Sequence, residues 1–297
     1  MKSDKSRRNA LKTIGAGASL IAVNPFTYTH LESKTEANPP FKKLKGNINH
    51  SVCRWCYNKI PLEQLCIDAV KIGIRSLDLV GPGDWEVLKK HGLHCAMPNG
   101  GEIGLTKGFN HMEYHKELFK KYSEIIPKVA AAGFDKIICF SGNREGISEE
   151  EGLENSAKGL LPLMPIAEKY KVTMVMELLN SKVNHKDYQC DHTKWGVELC
   201  KKVGSDQFKL LYDIYHMQIM EGDVIATIRE YHPYIAHYHT GGVPGRNEID
   251  TSQELYYPAI MQAILETGFK GWVAQEFIPK RADAIASLAQ GVHICDV

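Results

Sequence analysis

Short apolar runs of strand length alternate along this chain with longer stretches whose apolar residues recur at helical spacing. From Gly46 onward the strand-like runs are Ile48–Cys53, Ser76–Leu79, Leu93–Met97, Lys136–Phe140, Thr173–Met176, Lys209–Tyr212, Ile235–Tyr238 and Trp272–Gln275. Between them, Pro61–Ile72 sets Leu62, Leu65, Ala69 and Ile72 on one helical face. His111–Ala132, Glu149–Tyr170, Thr193–Val203, Gly222–Tyr231 and Tyr257–Thr267 read as further helices. Gly73, Gly133, Gly204 and Gly268 each follow a helical stretch, where a left-handed residue closes the last turn. Eight such units in succession predict an α/β protein, a (β/α)8 barrel built as a single domain. A doubly wound open sheet is the alternative. Against it, no G-x-G-x-x-G and no phosphate-binding P-loop follows the first strand.

The first residues do not belong to this pattern. Ser6-Arg7-Arg8-Asn9-Ala10-Leu11-Lys12 is basic, and the apolar stretch Thr13 to Val23 behind it falls short of the roughly 20 residues a membrane span needs. The paired arginines and the moderate, Gly- and Ala-rich hydrophobicity predict a twin-arginine-type export signal over residues 1–26, and hence a periplasmic or envelope location. A polar linker is expected over residues 27–45, and the barrel over 46–297. The 297 residues otherwise have a globular composition, with 36 Lys and Arg against 35 Asp and Glu and a net charge of +1. That balance excludes a general basic field for nucleic acid. Eight cysteines are irregularly spaced apart from Cys53-Arg54-Trp55-Cys56. A single C-x-x-C without a second pair reads as structural rather than as a zinc site.

In a barrel the chemistry stands at the C-terminal ends of the strands. Glu177, Asp213, His239 and Glu276 follow directly on four successive strand candidates. Taken singly, each is an ordinary helix cap, loop charge or core histidine. Together they converge on one rim as an oxygen-rich set with one imidazole. That set suits Mn²⁺ or Mg²⁺ and accepts Co²⁺ or Zn²⁺. A divalent cation would also remove the mutual repulsion of three close carboxylates. His237, two residues earlier on the same strand face, competes with His239 for the ligand role. His216, three residues after Asp213, is placed to meet a bound oxyanion. Arg246, in Gly242-Val243-Pro244-Gly245-Arg246-Asn247-Glu248, is placed to hold a carboxylate in two-pronged fashion, with Glu248 as its orienting partner. Asn180, Lys182 and His185 follow Glu177 on one loop and are expected to line the rim.

Met176-Glu177-Leu178-Leu179-Asn180, Tyr212-Asp213-Ile214-Tyr215-His216-Met217-Gln218 with Glu221-Gly222, and Gly242-Val243-Pro244-Gly245-Arg246 resemble the hydroxypyruvate isomerase family, within the wider xylose-isomerase-like TIM barrels. The resemblance runs through nearly all of 46–297. It implies Glu177, Asp213, His239 and Glu276 as ligands of one divalent metal ion, Glu177 and Glu276 also as the catalytic acid and base, and His216 and Arg246 as substrate-binding residues. The implied reaction converts hydroxypyruvate to 2-hydroxy-3-oxopropanoate through an enediolate. The partners then expected are a small keto acid or sugar, the twin-arginine export machinery and a second copy in a homo-oligomer, with no nucleic acid. Two other readings use the same residues. One is an exported isomerase, epimerase or lyase for a sugar or keto-sugar. The other is a non-catalytic carbohydrate-binding barrel, which predicts no bound metal.

Overall fold

The computed structural model describes residues 42–297. Eight strands form one parallel sheet: β1 (Asn49–Cys53), β2 (Ser76–Asp78), β3 (His94–Met97), β4 (Lys136–Cys139), β5 (Thr173–Glu177), β6 (Phe208–Asp213), β7 (Ile235–Thr240) and β8 (Trp272–Gln275). Their order is β3-β2-β1-β8-β7-β6-β5-β4. The two ends of this order come together where Ile138 N–H donates to Pro98 O at 3.0 Å, which brings the sheet round to a nearly closed barrel. The expected (β/α)8 architecture is therefore the observed one, and each strand lies within two residues of its expected span. The export signal and most of the linker expected at the N-terminus lie outside the described residues. The last linker residues, 42–45, run beside the end of the chain: Lys45 N–H donates to Asp296 Oδ2 at 2.8 Å.

The helices are α1 (Leu62–Ile72), α2 (Trp85–Lys90), α3 (His115–Ala131), α4 (Glu149–Leu160), α5 (Met164–Tyr170), α6 (Thr193–Val203), α7 (Ile214–Met220), α8 (Val224–Tyr231), α9 (Tyr257–Glu266) and α10 (Ala284–Cys295). Helix α1 shows the local logic. It buries Leu65, Cys66, Ala69 and Ile72, then stops at Gly73, whose φ of 101° lets its N–H turn back to Ala69 O and Val70 O. The single helix expected over Glu149–Tyr170 is two helices. Pro162 and Pro165 lack an amide donor and crowd the preceding turn, so a 3-10 turn at Leu161–Leu163 separates α4 from α5. Ser148 caps α4 by accepting Glu151 N–H at 3.1 Å, and Glu149, Glu150 and Glu151 in its first turn complement the helix dipole. Three helices were not expected: α2, α7 and α10. No helix among the described residues is long and apolar enough to cross a membrane.

The strands are buried on both faces, as parallel barrel strands are, and this is why they read as continuous apolar runs. Their register fixes the mouth. Asp213 pairs with His239, His239 with Ala274, and Glu177 with Leu211. Glu276 N–H then donates to Thr240 O at 3.0 Å, one step beyond β8. Four neighbouring strands thus deliver their polar residues to a common level.

Candidate active site

Glu177, Asp213, His239 and Glu276 each offer one ligand-type atom, and these atoms all lie within 4.8 Å of one another. All four residues are buried. His239 Nδ1 faces Glu276 Oε2 at 2.8 Å and Glu177 Oε1 at 3.3 Å. The structure therefore puts His239, and not His237, among the three carboxylates. Asp213 also caps α7, accepting His216 N–H at 3.1 Å, so the ordinary capping role and the site role fall on one side chain.

Three buried carboxylates make an unbalanced set. Burial and the neighbouring Glu276 raise the pKa of Glu177. Burial also raises Asp213 well above the carboxylate range, against the pull of Arg246. Burial acts on Glu276 in the same direction, but Arg246 and His239 outweigh it and hold this carboxyl well below its ordinary value. Arg246 Nη2 lies 2.6 Å from Glu276 Oε2 and 3.2 Å from Asp213 Oδ2. Its guanidinium stands over the rings of Trp55 and Tyr215, 5.1 and 5.4 Å from their centroids. The Trp55 indole N–H donates to Glu276 Oε1 at 2.7 Å. Trp55 and Arg246 together cover Glu276.

The loop that carries Arg246 is tightly braced. Gly242 pairs with Asn247 across a bridge, and a Cβ on Gly242 would lie 2.3 Å from Glu248 O, so only glycine lets the two backbones approach this closely. Arg246 itself has a left-handed φ of 58°, held by its N–H on Gly242 O (2.8 Å) and by Ile278 N–H on its carbonyl (2.7 Å). Glu248 does not orient Arg246 as expected. It accepts Lys280 N–H, Arg281 N–H and Ser287 Oγ–H, and so ties this loop to the start of α10.

His216 is fully buried, and burial together with Arg246 pushes its pKa well below the ordinary value, which keeps the ring neutral. Its Nδ1 accepts Asn180 N–H at 3.1 Å. The proton therefore sits on Nε2, 3.6 Å from Asp213 Oδ2 and without a hydrogen-bond partner. Asn180 thus serves the site as the anchor of His216. His185 packs edge-on against the His216 ring, while Lys182 turns away to Ile219 O and Met220 O.

Two contributors were not expected. Trp55 sits in the C-x-x-C segment, where it makes the contacts just described, while Cys53 and Cys56 are unbridged thiols. Asp78, fully buried at the end of β2, accepts from Ser51 Oγ (2.5 Å) and faces His237 Nε2 (2.5 Å) and His239 Nε2 (3.3 Å). The available signal was an acid at a strand end between two leucines, Leu77-Asp78-Leu79.

The donor set fits a divalent cation on the structure's own terms. Glu177 Oε1 is buried without a hydrogen-bond partner, His216 Nε2 is likewise unpartnered, and the carboxylates outnumber the local cations. Glu177, Asp213, His239 and Glu276 are the candidate ligands.

A parallel eight-stranded barrel with an acid-rich mouth defines a class of small-molecule enzyme scaffolds. The chain belongs to the xylose isomerase-like TIM barrel family, whose model matches residues 85–292. A putative hydroxypyruvate isomerase from Homo sapiens is 33% identical over 115 residues, 39% of this chain and 41% of that protein. The match thus spans about two fifths of that relative's length. The hydroxypyruvate isomerase of Escherichia coli (strain K12) is 28% identical over 231 residues, 71% of this chain and 86% of that protein. Among solved structures, an AP endonuclease, family 2, from Brucella melitensis superposes with a TM-score of 0.74 at 22% identity, covering 83% of this chain and 99% of that one. The resemblance seen in the motifs is borne out by these relatives.

Proposed function

We propose that this protein is an isomerase that moves a proton between adjacent carbons of a small hydroxy-carbonyl acid, with hydroxypyruvate and 2-hydroxy-3-oxopropanoate as the substrate pair. The observation that carries the reading is the convergence of Glu177, Asp213, His239 and Glu276 within 4.8 Å at the mouth of the barrel. The E. coli relative, matched over most of its length, supports the choice of substrate.

Glu177, Asp213, His239 and Glu276 would hold one divalent ion. When bound, that ion supplies Lewis-acid polarisation of the substrate carbonyl, which a lone carboxylate base cannot provide. Glu177 and Glu276 act as the proton-transfer pair: one removes a C3 proton, the other delivers a proton to C2. The balance also requires a proton to leave the C3 hydroxyl and one to reach the C2 oxygen. The Nε2–H of His216, which has no hydrogen-bond partner, would donate to an enediolate oxygen and mediate that exchange. Arg246 binds the substrate carboxylate from its stack between Trp55 and Tyr215, exchanging an internal carboxylate partner for the substrate's. Its burial removes water from the ion pair and strengthens it.

A second reading, a larger sugar or keto-sugar substrate, is favoured by one feature. A cavity of about 950 Å³ opens beside Trp55, lined by Cys56, Ile60, Ile278 and Ala284 among others. None of the four site residues lines it, so it bears on the substrate only through Trp55, which covers Glu276. In either reading, export in the folded state through the twin-arginine route remains our proposal from the sequence, tested by fractionation of cells expressing the full chain.

The test of function is solvent exchange. Mn²⁺-loaded protein in D₂O is incubated with hydroxypyruvate, with ketoses and with keto-glycosides. Deuterium uptake at carbon in hydroxypyruvate, with appearance of the aldehyde, is expected. Uptake confined to a sugar would move the assignment to the second reading. No uptake in any compound would leave only a binding barrel.

A further inference from the structure

His239 has two ring nitrogens and two distinct neighbourhoods. Nδ1 looks outward at Glu276 and Glu177, and Nε2 looks down the barrel at Asp78 Oδ2, 3.3 Å away. Asp78 comes from β2, separated from β7 in the sheet by β1 and β8, and is itself fixed at three points. Ser51 Oγ–H donates to Oδ1, and His237 Nε2 shares Oδ2 with His239 Nε2. Every member of this group is fully or almost fully buried. Cys53 Sγ lies 3.6 Å from His239 Nε2. Sulfur is a weak hydrogen-bond acceptor, so it does not compete with the carboxylate for the Nε2 proton.

A neutral imidazole can present a lone pair on only one nitrogen, and the hydrogen bond made by the other nitrogen decides which. Carboxylates face both nitrogens, Glu276 Oε2 at 2.8 Å from Nδ1 and Asp78 Oδ2 at 3.3 Å from Nε2; once a cation takes the Nδ1 lone pair, the carboxylate facing Nε2 holds the one remaining ring proton there. From this geometry we propose that Asp78 is a positioning residue that fixes the tautomer and ring orientation of His239, so that Nδ1 is the atom offered to a divalent cation at the barrel mouth. The inference rests on the metal-dependent reading above. It adds a residue that touches neither substrate nor cation and acts only through His239. His237, Ser51 and Asp78 then form one support under the site, built from β7, β1 and β2. This explains why a charged side chain stands in the most enclosed part of the barrel: a carboxylate here accepts three hydrogen bonds at once, which an amide oxygen on one carbon cannot do without turning its NH₂ toward a donor.

The variant Asp78→Asn keeps the shape and removes the charge. Co²⁺ titration of the full chain, followed by visible absorption, is expected to show affinity lower by about 10- to 100-fold, with the unfolding midpoint still defined. In ¹⁵N-histidine-labelled protein, the wild type is expected to show His239 protonated at Nε2, assigned by loss of that signal in His239→Gln. Asp78→Asn is expected to broaden it or shift it toward mixed tautomers. Should Asp78→Asn not fold, Ser51→Ala, which frees only one carboxylate oxygen, is expected to give a smaller loss of Co²⁺ affinity in the same direction. Unchanged Co²⁺ affinity in whichever of the two folds overturns the proposal and leaves Asp78 as a core partner of His237. If the wild type binds no Co²⁺, the functional reading fails separately. The tautomer then decides for Asp78: Nε2–H present in the wild type and retained in Asp78→Asn, or Ser51→Ala in its place, overturns the positioning role, and its loss sustains it.

Discussion

The two halves of this barrel are built from the same unit and have diverged in what their strand ends carry. Strands β5 to β8 deliver Glu177, Asp213, His239 and Glu276 to one mouth. Strands β1 to β4 end in Cys53, Asp78, Met97 and Cys139, buried groups that make no second carboxylate cluster among the described residues. One half concentrates charge where apolar packing would be more stable. The other half packs, and gives the first a floor. The proposed chemistry and the packing are thus divided by position around the ring, and substitutions on the two sides are expected to have opposite signatures.

The largest contrast is expected at Glu177. Its Oε1 has no hydrogen-bond partner, and burial with Glu276 beside it disfavours its charge. On the proposed mechanism Glu177→Gln removes a proton-transfer group, so isomerisation by the Mn²⁺-loaded protein should fall about 10²- to 10⁴-fold. The same change relieves repulsion among carboxylates, so urea unfolding in EDTA should show stability level or raised. A stability loss above about 1 kcal/mol, the order of a net hydrogen bond, would show that this half is packed as tightly as the other.

Leu77, on β2 and fully buried, is the counterpart in the packing half. Leu77→Ala removes core contacts that parallel strands on either side cannot close over. It should cost about 2–5 kcal/mol in urea unfolding. Turnover per folded molecule should change far less than in Glu177→Gln. Loss of turnover without loss of stability would place the chemistry in the wrong half.

The base of β1 adds a pH signature of its own. His50 is buried, and burial lowers its pKa from 6.5 to about 4, with Asp296, 3.8 Å away, opposing the shift and His293 and Arg75 adding to it. Between pH 6.5 and 4 the unfolded chain takes up a proton that the folded chain resists, so this residue's contribution weakens as pH falls through that window and is level above it. The full effect is about 3 kcal/mol. Denaturant midpoints for the wild type and His50→Gln, measured at pH 7 and pH 4.5, should converge at the lower pH. Equal pH slopes would remove His50 from the acid sensitivity of the barrel.

This division also explains what the sequence made legible. Strands buried on both faces are apolar over most of their length, so all eight were visible as runs although Ser51, Ser76 and His237 are polar within them, and the four polar residues at strand ends were visible as well. Helix α7 was not visible, because its seven residues, Ile-Tyr-His-Met-Gln-Ile-Met, are mostly buried and show no polar face. Its start is set by the Asp213 cap, which the functional reading of that residue obscured. Helix α10 is apolar nearly all round, so period alone could not separate it from strand. Asp78 escaped notice because its meaning depends on His237 and His239, which lie about 160 residues away and meet it only across the closed barrel. The pairing of Arg246 with Glu276 and Asp213 is tertiary in the same sense: the loop sequence located the guanidinium, and the strand register chose its partners.

The smallest effect belongs to the outer helical layer, which both halves share. Arg229 on α8 and Glu266 on α9 pair at 2.8 Å, with side chains 58% and 49% exposed. Water solvates both ions before and after the pair forms, and two long side chains lose rotamer freedom to hold it. Arg229→Gln should therefore change unfolding free energy by less than about 1 kcal/mol and leave isomerisation untouched. The measurement is a urea melt at low and at high salt. If the pair matters at all, its contribution shrinks with salt, because the charges are exposed and screened. A salt-independent loss comparable to that of Leu77→Ala would mean that helix docking, and not the barrel interior, holds the charged half in place. The contrast between the two halves would then have to be sought in their helices rather than in their strands.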